Sequence, residues 1–206
     1  FAGWATDPLN SKSIDDLLET AIKRKMIFGF NTKPIKVSDK FVNLLKDNEI
    51  HNDSWISLSI DSGSNDIFNK VHGMETKAPL YERVLKNVNR IKEANYPKRK
   101  FDVSAAYLLN KFNSSKEEIG KFLSDFKMAG CNLIRFSFAQ PPRGLAHKDK
   151  IETVPLTDEK TEIMNDLKDW LKSHDSEECR VIVTDPDSEN DIFYKDRTLP
   201  CVARFI

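Results

Sequence analysis

Polar residues stand at the ends of several short apolar runs: Asn31-Thr32, Ser59-Ile60-Asp61, Asn110 with Asn113 close behind it, and Ser137. Hydroxyls, amides and a carboxylate at such places bind and orient a polar ligand. If the runs are parallel strands of a barrel, their C-terminal tips converge on one mouth, and that mouth is where ligands bind. Ser59 and Asp61 are two residues apart and fall on one face of an extended strand. A plainer alternative stands beside this one: Ser59 satisfies a neighbouring backbone group, and Asp61 starts a turn into Gly63. Arg135 alternates with Phe136, and a charge inside a buried strand needs a partner or the hollow of a barrel.

Other chemistries find little support. His51, His72, His147 and His174 are scattered without zinc-ligand spacing. His72 follows Asp61 towards the proposed mouth and is predicted to have a surface or capping role. The three cysteines, Cys131, Cys179 and Cys201, are too widely spaced for a disulfide framework, so a reducing cytoplasm is the expected setting. Cys131 is expected in the core and Cys179 as an idle, half-exposed thiol. No nucleophile elbow, phosphate-binding loop or dinucleotide fingerprint occurs, which argues against hydrolase, nucleoside triphosphatase and Rossmann folds.

Lysine plus arginine and aspartate plus glutamate both number 32, so the net charge is zero and no basic footprint of a nucleic-acid binder exists. No apolar stretch approaches the length that spans a membrane. At 206 residues the chain can bury one proper core.

The elements that must position these residues alternate. Helices are predicted from Ser13, over 38–46, over 80–94, from a capping box at Ser115-Lys116-Glu117-Glu118 to Gly130, and over 158–173. Strands are predicted at 27–31, 55–61, 101–108, 132–138 and 180–184. Strand followed by helix, with no two strands close enough for a hairpin, implies parallel pairing through right-handed crossovers. The stretches 140–156 and 185–200 carry prolines and charges and are expected to be long connections.

Three segments resemble the radical S-adenosylmethionine (radical SAM) enzymes. Gly3-Trp4-Ala5-Thr6-Asp7-Pro8-Leu9 is similar to the glycine-glycine-glutamate-proline motif on the second strand of that family's barrel. Trp55-Ile56-Ser57-Leu58-Ser59-Ile60-Asp61-Ser62 resembles its fourth strand, and Gly130-Cys131-Asn132-Leu133-Ile134-Arg135-Phe136 its sixth. The resemblance covers about residues 1–140 and implies an α/β fold: a partial (β/α)6 TIM-like barrel of parallel strands, lacking the first strand and the cluster loop. Residues 141–206 would then be a C-terminal extension of one helix and one strand.

The same resemblance implies that S-adenosylmethionine contacts Gly3, Asp7, Asn31, Thr32, Ser59, Asp61, Asn110, Asn113 and Arg135. Asp7 stands where the family has glutamate, and Gly3 is what remains of the glycine pair. The family's [4Fe-4S] cluster is held by a CxxxCxxC loop after the first strand, and this chain has none, so the cluster ligands are expected outside it and the chain alone is expected to be inactive. Leu199-Pro200-Cys201 resembles the entry to an auxiliary iron–sulfur region (SPASM or twitch type), with Cys201 as its first ligand. The implied activity is reductive cleavage of S-adenosylmethionine to a 5′-deoxyadenosyl radical that abstracts hydrogen, from a peptide or protein if an auxiliary region follows. An electron donor is the further partner; nucleic acid and membrane are not expected. The rival expectation is a non-catalytic α/β module that binds a small molecule or a protein partner at its strand ends.

Overall fold

A computed structural model describes residues 7–138 and 157–184. Five strands form one sheet: β1 (Gly29–Thr32), β2 (Trp55–Ser59), β3 (Asp102–Leu109), β4 (Leu133–Phe138) and β5 (Arg180–Val183). Every pairing is parallel and the spatial order is the chain order, β1-β2-β3-β4-β5. Right-handed crossovers without a reversal of order bring every connecting helix onto the same face. This single winding is that of a partial TIM-like barrel; a doubly wound sheet would reverse at a switch point.

The helices are α1 (Ile14–Lys23), α2 (Asp39–Asp47), α3 (Asn65–Val71), α4 (Leu80–Ala94), α5 (Lys116–Met128) and α6 (Thr157–Lys172). One face of the sheet is packed against them. Phe30 of β1 meets Phe41 of α2 edge-on at 5.4 Å, and Tyr107 of β3 and Phe136 of β4 both meet Phe122 of α5, at 4.7 and 5.9 Å. Ile56, Leu58, Val103, Ala105 and Ile134 complete that buried face.

Several predicted boundaries change. The seven-residue helix α3 occupies a stretch predicted as loop; Ser64 caps it by accepting from the Ile67 amide at 3.4 Å, and His72 is its C-cap. Ser13 precedes α1 but makes no side-chain cap bond. The strand predicted at 55–61 stops at Ser59, because Asp61 turns into the left-handed region at φ 60. Gly130, at φ 81, ends the turn after α5 as predicted. Cys131 is in the core as expected, but Cys179 is 3% exposed, not half-exposed, because it enters β5 on the helix-covered side. The connections at 140–156 and 185–200, with Gly3 and Cys201, lie outside the described residues.

Candidate functional site

Residues that alternate with the buried ones face the other side of the sheet, where the described residues place no helix. The pairing register arranges them in rows. Gly29 lies beside Trp55; the next row is Asn31, Ser57, Ser104 and Leu133; the third is Ser59, Ala106, Arg135 and Ile182. Trp55 crosses Gly29 so closely that a Cβ there would lie 2.3 Å from the indole. The tryptophan thus forms an apolar floor at the N-terminal end of the open face.

The composition of this face is what a ligand needs. A buried parallel sheet carries near-continuous branched apolar residues on both faces, and a barrel's hollow is ordinarily filled with them. Here the middle rows are serine, alanine, asparagine and arginine, short enough to leave room and polar enough to bind. Among the described residues, Asn31, Ser57, Ser59, Ser104 and Arg135 have no side-chain hydrogen bond or ion pair. Trp55, Leu108 and Ile182 flank them and are each about two-fifths exposed (38, 41 and 42%).

The remaining predicted site residues build the rim. Asp7 Oδ1 accepts from Thr32 Oγ1 (2.7 Å) and from the Leu9 amide (2.9 Å), and Oδ2 accepts from the Lys33 amide. Asp7 therefore clamps the end of β1 to the short 3-10 turn Pro8–Asn10, and Thr32 points to the helix side. Asn113 is fully buried with its amide in use: Nδ2 donates to the Asp61 and Leu108 carbonyls (2.8 and 2.9 Å), and Oδ1 accepts from the Asn110 amide (2.7 Å). Tyr107 adds a hydroxyl donated to the Asn113 carbonyl at 2.7 Å, and Asn110 Oδ1 takes the Phe112 amide. So Asn31, Ser59 and Arg135 come together on the open face. Asp7 with Thr32, and Asp61 with Asn110 and Asn113, form two loop clamps above it.

Asp61 does not share the face of Ser59. Its left-handed backbone swings the carboxylate against β3, where Oδ1 accepts from the Leu108 amide at 2.7 Å, and it is 5% exposed. Burial raises its pKa to about 6, although the Leu108 bond and the charge of Lys33 act the other way. The capping box at Ser115 is also half redirected. Ser115 Oγ accepts from the Glu118 amide as expected, but the Glu118 carboxylate reaches the loop after β2, taking the Gly63 amide (2.6 Å) and the Ser64 hydroxyl (3.1 Å).

Sequence reasoning missed a further rim contact. His72 Nε2 lies 3.0 Å from the Ile60 carbonyl and must donate to it, so Nδ1 carries the lone pair that accepts from Lys33 Nζ at 3.1 Å. Burial, then the lysine charge, lowers the His72 pKa to about 4. Ser57 and Ser104 were missed as well, and strand alternation with Ser59 and Ala106 was the signal that could have found them.

The two shifted groups give opposite pH dependences. The folded pKa of Asp61 lies above its ordinary 3.8, so its contribution is complete below that value and is lost as pH rises through about 6. The folded pKa of His72 lies below its ordinary 6.5, so its contribution is present above that value and is lost as pH falls through about 4. Asp61→Asn keeps an oxygen for the Leu108 amide and removes the buried charge. It should be more stable than the wild type by about 2 kcal/mol at pH 8 and equal to it below about pH 4. Urea unfolding across that range checks this, and a stability difference independent of pH would contradict it.

Among the described residues no three His, Cys, Asp or Glu side chains gather as a metal site, and no helix is long and apolar enough to cross a membrane. No known family model and no curated protein matches the chain. Solved structures do. Streptococcus suis SuiB superposes with a TM-score of 0.59 at 15% identity over 89% of this chain. The same protein bound to precursor peptide SuiA gives 0.59 at 14% over 89%, and bound to S-adenosylmethionine 0.60 at 16% over 94%. This chain spans between 37 and 43% of the length of those structures. At such identity the likeness is one of fold.

Proposed function

We propose that this chain is a large part of the catalytic barrel of a radical SAM enzyme, and that its open face binds S-adenosylmethionine. The observation that carries the reading is the pair of unpartnered polar rows, Asn31, Ser57 and Ser104 in one and Ser59 and Arg135 in the next, on a barrel-type sheet whose fold is shared with a protein solved with that cofactor. These side chains suit it. Ser59 and Asn31 offer a hydroxyl and an amide to ribose or amino-acid groups, and Arg135 offers a charge opposite to a carboxylate. Trp55, Leu108 and Ile182 give apolar surface that excludes water from around them.

When bound beside a reduced [4Fe-4S] cluster, S-adenosylmethionine supplies a 5′-deoxyadenosyl radical that removes hydrogen from a substrate. The described residues do not fit that cluster. Their two cysteines, Cys131 and Cys179, are buried at the N-terminal ends of β4 and β5, away from the mouth. Cluster ligands therefore belong to residues other than these, and the part played by the described ones is to bind, orient and shield the cofactor. Gly3, at the start of the chain, and an auxiliary-cluster role for Cys201 remain part of the proposal. A peptide substrate agrees with the likeness to SuiB, which has been solved with a precursor peptide. Buried free thiols suit a reducing cytoplasm.

The test is anaerobic iron–sulfur reconstitution of the full-length protein, followed by reduction with dithionite and assay for 5′-deoxyadenosine. Formation of that product with S-adenosylmethionine is the expected result. A reconstituted protein that neither binds the cofactor nor forms the product would overturn the reading.

A further inference from the structure

A basic groove lies on the helix layer, away from the open face. The connection leaving β1 runs along α4 and is stapled to it. Asn87 Nδ2 donates to the Pro34 and Ile35 carbonyls at 2.8 and 3.2 Å, and Arg90 Nη1 donates to the Val37 carbonyl at 3.1 Å. Arg90 also takes Asp39 as an ion-pair partner. Between the two walls is a groove of about 720 Å³ that Lys36, Arg83 and Lys86 also line.

These last three cations have no hydrogen-bond or ion-pair partner among the described residues. Three other exposed lysines do find carboxylates: Lys23 pairs with Glu19, Lys40 with Asp16, and Lys121 with Asp125. Arg83, Lys86 and Arg90 are three and four residues apart, so they share one helix face. At about 1.5 Å per residue they are strung over roughly 10 Å, the length of about three residues of extended peptide.

We propose that this groove docks an acidic peptide segment. Arg90 is already paired with Asp39, and the unpaired cations stand on both walls, Lys36 on one and Arg83 and Lys86 on the other, along a groove that suits successive carboxylates better than a single phosphate. Among the described residues the lining holds no aromatic ring on which a base could stack, and nucleic-acid grooves rely on such rings. Ile35 and Val37 offer instead a strip for aliphatic side chains. The walls are held by backbone-directed bonds before any ligand arrives, which lowers the ordering cost of binding.

The position gives the docking a use. The stapled connection leaves the C-terminal end of β1, and Arg83 lies early in α4, which follows the C-terminal end of β2 through α3. The groove is therefore at the mouth end of the helix layer, where a docked segment leads towards the open face. The inference stands on binding alone and does not need the radical chemistry.

Fluorescence anisotropy on the full-length protein, at low salt, tests it with a labelled decapeptide carrying Glu at alternate positions. The peptide should bind, and its Gln counterpart should not. Arg83→Glu with Lys86→Glu should weaken binding at least about tenfold, and Lys36→Ala with Lys86→Ala should weaken it less but in the same direction. Lys98→Glu with Lys116→Glu, on other surfaces, should change it by less than about twofold. Equal binding of the Gln peptide, an equal loss in the Lys98/Lys116 pair, tighter binding of an oligothymidylate of equal charge, or no peptide binding by the folded protein would each overturn the proposal.

Discussion

Gly63→Ala should cost at least about 3 kcal/mol of stability, a large effect for the addition of one methyl group. A Cβ at Gly63 would lie 2.2 Å from the Glu118 carbonyl oxygen and 3.0 Å from the Phe122 amide nitrogen. Both atoms belong to the backbone of α5, so no side chain can rotate away. The helix cannot retreat either, because Ile119 and Phe122 anchor it in the core. Nor can the loop lift, since the Gly63 amide and the Ser64 hydroxyl are both held by the Glu118 carboxylate. The glycine is required by contact and not by a left-handed backbone. Chemical denaturation of the variant measures the effect. Glu118→Gln, which keeps an acceptor for both bonds, should lose only about 1 kcal/mol. A Gly63→Ala variant as stable as the wild type would mean that the loop after β2 does not lie against α5.

What the sequence made legible follows from locality. Phe30, Ile56, Leu58, Val103, Ile134 and Val181 alternate with less buried neighbours along the five strands, and the order of strand then helix implies their parallel pairing. Ser38, Ser64 and Ser115 each cap a helix by accepting from the amide three residues on, although the short helix that Ser64 opens was not predicted. The rim was not legible because its bonds are long-range. Asp61 meets Leu108 across 47 residues, Lys33 meets His72 across 39, and Glu118 leaves its expected partner for Gly63, 55 residues away. Aspartate also tolerates the left-handed region better than most residues, so nothing in Ser59-Ile60-Asp61 distinguishes a continuing strand from one that stops. Hence the candidate set divided: Asn31, Ser59 and Arg135, inside strands that form, reached the open face, and Asp7, Thr32, Asp61, Asn110 and Asn113, at or beyond the strand ends, became clamps.

That division makes Ser59→Leu the sharpest probe of the proposed site, with an expected loss of at least about 100-fold in affinity for S-adenosylmethionine, or about 2.7 kcal/mol. The hydroxyl has no protein partner, so removing it leaves no buried polar atom of the fold unsatisfied. Its cross-strand neighbour is Ala106, with Arg135 next in the row, and a leucine here fills space that the cofactor would occupy. Stability should change by no more than about 0.5 kcal/mol, because the new side chain touches no core residue and leucine is acceptable in a strand. Ile56→Ala on the opposite face of the same strand should behave inversely, losing about 3 kcal/mol of stability with the open face unaltered. Isothermal titration of both variants separates the two faces of β2. Unchanged affinity in a folded Ser59→Leu protein would remove the cofactor from this face, whatever the reconstituted enzyme does with it elsewhere.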